Sequence, residues 1–331
     1  MPDPVLILQA MAAAAVTAVA FILLCAWPWR KPRPDLASGG TVLGVGLGFF
    51  AGCWLLGVRP DWPPRQDQDR LLMVLFPAVM ALELVAALAA SMRWLVWLLR
   101  MIVAASAARV LLHNTIYLTD LAGPRSREWT PAQTWMILGG LAIALAGGWT
   151  SLVFLARRTA IPASRSDKQA GERGKGRSVL LAVAVACAGA AITVMLTGYA
   201  TGGELGLPLA AALAGGTAAL FVVKQSLRAE GAVGLGIVGL FALLVMGRFF
   251  GELPAAYAIL LFFSTLLCWL PELPYIRRLG PRLRGVVRVA LVTVPVVVVL
   301  MLAQQKFVRE SSKMSPGSEE PTIEDYLNFG K

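Results

Sequence analysis

Ten long apolar stretches set the terms for anything this chain can fold into. They lie at residues 5–29, 38–58, 71–92, 94–116, 132–156, 178–198, 207–223, 232–250, 254–270 and 286–304. About 20 apolar residues in an α-helix cross the hydrocarbon core of a bilayer. Inside hydrocarbon the backbone polar groups must be satisfied within the segment, so each stretch is expected to be helical. The spacing predicts an all-α fold: a polytopic transmembrane helical bundle of about ten spans over residues 1–304, with a mostly disordered extracytoplasmic tail over 305–331. Composition agrees, since 57% of the 331 residues are hydrophobic and only 15% charged, where soluble domains carry about 25% charged residues. A soluble enzyme, a disordered chain and a collagen-like fibre are excluded.

The net charge of +11 does not point to nucleic acid, because the charges lie between apolar runs and form no aromatic-interleaved basic stripe. Their distribution instead orients the chain. With the N-terminus outside, segments 30–37, 93, 157–177, 224–231 and 271–288 face inward and hold three, one, seven, two and five Lys/Arg. Cytoplasmic loops carry such an excess. Ten Lys/Arg fall outside and 13 of the 19 acidic residues join them. Five inward segments agree, which places both termini outside the cytoplasm. Asp3 is the only charge before the first stretch. With no basic n-region there, it reads as a retained span. Seven Lys against 23 Arg, with abundant Ala, Gly and Leu, suggests a GC-rich bacterial genome and hence the bacterial inner membrane.

Aromatic residues mark the same boundaries. Trp27, Trp29, Trp94, Trp97, Trp269 and Tyr275 fall near inner ends, and Trp54, Trp62, Tyr117, Trp129, Trp135 and Tyr199 near outer ends. Such rings favour the headgroup zone. Thr130-Pro131 reads as N-cap then first helical residue, and Pro208 and Pro254 are expected at helix starts. Cys25, Cys53, Cys187 and Cys268 lie in apolar runs without a C-x-x-C pair, so they read as small fillers.

Gly40, Gly44, Gly48 and Gly52 recur every four residues in the second stretch. That spacing puts them on one helical stripe where another backbone can approach closely. Intramolecular packing is the expected use, ahead of a homodimer seam. Gly234, Gly236 and Gly239 match G-x-G-x-x-G, but inside an apolar span, without the strand and helix that a nucleotide site needs. The match is read as packing. Ala144–Gly148 and Ala212–Gly216 share the string Ala-Leu-Ala-Gly-Gly, which arises readily by chance in alanine-rich helices.

Intramembrane charge is where function can hide, because each such group is costly unless paired, hydrated or snorkelling. Glu83 lies near the middle of the third stretch. Arg100 and Arg109 lie in the fourth, and the lone histidine, His113, is one turn beyond Arg109. Glu83 precedes the hairpin turn near Arg93 by ten residues and Arg100 follows it by seven. Their depths differ by about 5 Å, so a pair is geometrically allowed. It reads either as a static lock or as a gate. Arg109 and His113 share a face suited to an anionic headgroup or substrate, with snorkelling the plainer account of Arg109. Arg248 and Glu252 are expected at the outer interface.

No metal or cofactor motif, G-x-S-x-G or P-loop occurs, and no cofactor or metal is expected. The expected function is a transporter or permease for a small solute. A structural or assembly subunit is the first alternative and a membrane-embedded lipid or glycan enzyme the second. Thr322-Ile323-Glu324-Asp325 has the form of a capping box. It places Ile323, Tyr326 and Leu327 on one face, with Phe329 following. Besides the bilayer, that short segment is the one expected contact for a protein partner, against the alternative of a frayed terminus.

Overall fold

In a computed structural model, residues 3–26, 34–88, 92–113, 115–118, 129–160, 176–223, 228–276 and 280–314 are described. The tail residues Ile323, Tyr326, Leu327 and Phe329, and the rings Trp27 and Trp29, lie outside the described residues. The described chain is all-helical, with ten helices long and apolar enough to cross a membrane. They are α1 (Pro4–Cys25), α2 (Pro34–Leu55), α3 (Asp67–Leu88), α4 (Arg93–Leu111) and α5 (Pro131–Ala160). α6 (Arg177–Leu196), α7 (Ala200–Val222) and α8 (Glu230–Phe249) follow. α9 (Ala255–Ser264) runs on as a 3₁₀ segment, Thr265–Glu272, and α10 is Pro281–Met314. A π-helical segment, Leu71–Leu75, interrupts α3.

α8 sits at the centre, buried along most of its length, with α6 and α7 beside it. Its glycines face neighbours rather than a nucleotide: a Cβ on Gly236 would meet Val183 and Leu213, and one on Gly239 would meet Leu209. The exterior is apolar, with Leu8, Val16, Ile143 and Phe221 all exposed. Trp54, Trp62, Trp94, Trp135 and Tyr275 are exposed near helix ends.

The four-residue glycine stripe of α2 faces α1 in antiparallel order. Cβ atoms on Gly40, Gly44 and Gly48 would meet Cys25, then Ile22 and Ala18, then Ala14 and Ala18. One on Gly52 would meet Pro208 and Ala10. At Gly48 the obstacle is the Ala14 carbonyl at 2.5 Å, which cannot rotate away. Gly48→Ala is therefore expected to cost about 1–3 kcal/mol. Gly139→Ala, where a Cβ meets nothing within 4 Å, is expected to cost nothing. Thermal unfolding in detergent compares them, and equal melting temperatures would contradict so close a seam.

Helix ends follow local chemistry. At the start of α5, Thr130 and Gln133 cap one another: Thr130 N–H donates to Gln133 Oε1 (2.9 Å) and Gln133 N–H to Thr130 Oγ1 (3.3 Å). Pro131 takes the first helical position, as its fixed φ and missing N–H favour. Two expectations are corrected. Pro208 lies inside α7, which begins at Ala200. The polar-looking Thr201–Glu204 stretch folds because Gly203 and Gly206 let α7 close on Met195 and Ala191 of α6. Nor does helix end at residue 304, because α10 continues to Met314. Gln, Lys, Arg and Glu are good helix formers, and Lys306 pairs with Glu310 one turn on (3.5 Å).

Successive helices alternate in direction, and two ends of the bundle can be told apart. Arg157, Ser178, Glu230 and Glu272 lie at one, here called the basic end. Asp67, Arg70, His113, Tyr199 and Glu252 lie at the other, the terminal end.

Candidate functional site

Four helices meet around one carboxylate. Glu83 of α3 is 1% exposed and Arg100 of α4 is 7% exposed. The two form a bidentate pair, with Arg100 Nε donating to Glu83 Oε1 (3.0 Å) and Nη2 to Oε2 (2.6 Å). Trp149 of α5 donates its indole N–H to Oε1 (2.8 Å). The Arg100 guanidinium also stands 5.8 Å from the Trp149 ring centre. Gly234 of α8 supplies the space: a Cβ there would lie 2.4 Å from Glu83 Oε1 and 2.8 Å from the indole nitrogen. At Gly231, one turn away, a Cβ would instead meet Val42 of α2 at 2.4 Å. An ion pair this deep is retained only when geometry is good and the remaining lone pairs find donors. Here the Arg fork and the indole meet both conditions.

The cluster is nearer the basic end than the middle of α3. That helix ends at Leu88, and its π segment lies on the terminal side. Between the cluster and the basic end lies a second pair, Arg157 Nε to Glu230 Oε2 at 2.6 Å. Glu230 is one turn from Gly234 on α8, and Arg157 two turns from Trp149 on α5. Glu230 is mostly buried, while Arg157 is partly exposed. Acid and base thus run in two tiers inward from the surface.

Sequence pattern misses Trp149, although a signal exists. It is the one of the ten tryptophans that the assignment of rings to helix ends leaves over. The remaining candidates do not join the cluster. Arg109 and His113 are exposed at the terminal end of α4. Arg248 and Glu252 are exposed at the terminal end of α8, where Glu252 approaches Lys306 (3.8 Å).

Three further buried polar groups, Arg288, Arg70 and Asp67, do structural work. Pro271 has no N–H for the Cys268 carbonyl in the 3₁₀ segment. Arg288 supplies the donor (Nε to Cys268 O, 3.0 Å) and also bonds Glu272 (2.7 Å) and Ser178. Arg288 is thereby part of the packed interior and not of the 271–288 connection expected from sequence. At the terminal end, Arg70 donates to the Leu111 and His113 carbonyls. It closes the C-terminus of α4, where a cation suits the helix dipole. Tyr199 donates its hydroxyl to Asp67 Oδ2 (2.6 Å). Burial, together with the Asp67 carboxylate, pushes the Tyr199 phenol above its ordinary range, so it stays the donor.

No group of three or more His, Cys, Asp or Glu suited to a metal occurs among the described residues. No protein family matches the chain, and neither does any curated protein.

Proposed function

We propose that this chain is an integral membrane carrier for a small solute. In this reading it sits in the cytoplasmic membrane of a bacterium with the basic end facing inward. The observation that carries it is the buried Glu83–Arg100–Trp149 cluster, because ionisable groups inside a membrane bundle are costly and mark substrate or ion paths. Separation of α8 and α5 from the α3–α4 hairpin withdraws the Trp149 indole and exposes the Glu83–Arg100 pair. Those groups can then engage a charged or zwitterionic solute. The Arg157–Glu230 pair ties α5 to α8, so that those two helices would move as one body.

A structural or assembly subunit is the second reading. It is favoured by the completeness of the site, since both Glu83 oxygens already have donors and Gly234 fits closely against one of them.

Hydrogen–deuterium exchange on the full chain in nanodiscs separates the two, because backbone exchange in interior helices reports their opening. A carrier is expected to exchange faster over residues 78–86 and 230–238 than over 205–215 of α7. Equal, slow exchange in all three segments would rule out an opening site and leave the scaffold.

A further inference from the structure

Outside the Glu83 cluster, the described residues hold one groove whose construction names its occupant. It lies between α5 and α9, with α8 as its floor, and encloses about 220 Å³. Ala144 of α5 faces Ala258 and Phe262 of α9 across Phe241 and Leu244 of α8. Its closed end is deep in the bundle. There the Phe241 and Phe262 rings meet edge to face, 6.1 Å apart, and the Phe262 ring presses on Gly148. The other end opens at Arg248, seven residues from Phe241 along α8, or about 10 Å.

The chemistry of its lining says what fills the groove. At the mouth, Arg248 is the only charged group in the lining. It makes no hydrogen bond or ion pair with the described residues, since Glu252 turns to Lys306 instead. An apolar slot about two helical turns deep, capped by one unpaired guanidinium, matches an acyl chain attached to a phosphate. Arginine is well suited to phosphate oxygens, which accept its paired N–H donors.

We propose that the groove binds one phospholipid from the leaflet at the terminal end, one acyl chain lying against Ala144, Leu244 and Phe262 and the phosphate held by Arg248. The inference rests on the membrane placement of the bundle and is independent of transport. Static or opening, the Glu83 cluster leaves this site unaltered.

Native mass spectrometry of the full chain in detergent tests it, with palmitoyl-oleoyl phosphatidylglycerol and phosphate-free dioleoylglycerol as probes. The wild-type protein is expected to retain one phosphatidylglycerol. Arg248→Gln weakens that binding about tenfold, a difference readily resolved, while leaving dioleoylglycerol binding unchanged. Arg248→Lys keeps part of the phosphatidylglycerol affinity, and Ala144→Phe, which fills the slot, weakens both lipids. Arg248 is exposed, so its variants are expected to melt with the wild type. Failure of the wild type to retain phosphatidylglycerol overturns the proposal. So does unchanged binding in either Arg248→Gln or Ala144→Phe, or an equal loss of both lipids in Arg248→Gln.

Discussion

Replacing Glu83 or Arg100 alone with alanine is expected to lower stability by about 3–5 kcal/mol, the range for stranding one member of a buried pair. Glu83→Ala strands a guanidinium at 7% exposure, and Arg100→Ala leaves a carboxylate at 1% exposure with only the Trp149 indole as donor. The double variant removes both charges and is expected to lose less than the sum of the singles, by about 0.5–3 kcal/mol. Unfolding in mixed detergent micelles reads all four proteins. Strict additivity would mean that the two side chains do not interact in the folded protein.

Gly234→Ala should be nearly as damaging in the wild-type background and clearly milder in another. The added methyl lies 2.4 Å from Glu83 Oε1 and 2.8 Å from Glu83 Cδ, so the carboxylate must leave its donors or α8 must shift. Overpacking of this kind costs about 1–3 kcal/mol, and loss of the hydrogen bonds adds to it. In the Glu83→Ala background both carboxylate obstacles are gone, and the Trp149 indole nitrogen, 2.8 Å from the added methyl, is the close contact that stays. There the same substitution is expected to cost clearly less than in the wild-type background, with helix propensity offsetting up to about 1 kcal/mol of the indole contact. An equal loss in both backgrounds would show that the space around Gly234 is not held for the carboxylate.

Much of the bundle was legible because its rules are local. Length and apolarity alone delimit ten helices, and a four-residue glycine period marks a seam without naming the partner. Depth arithmetic across a short hairpin allows Glu83 and Arg100 to meet, and the structure pairs them. What was not legible depends on contacts remote in sequence. The indole that completes the Glu83 site comes from 66 residues away, and its glycine socket lies on α8. No spacing rule joins them. Gly234 was read as packing when its role is to admit an oxygen atom. The polar start of α7 and the polar end of α10 were misjudged for a related reason. Apolarity measures suitability for hydrocarbon, whereas a helix can extend beyond it wherever propensity and side-chain pairs allow.

The π segment of α3 changes which way that helix faces. On an uninterrupted α-helix, Asp67 and Glu83 are 16 residues apart and would project about 160° from one another. One would then point away from the bundle. Both are buried, Asp67 against Tyr199 at the terminal end and Glu83 against Arg100 and Trp149 toward the basic end. The wider i→i+5 turns of Leu71–Leu75 advance less per residue, and that lag swings the two carboxylates toward a common side. A single helix can therefore be pinned by an acid near each end, with the azimuthal correction held in the five apolar residues between them.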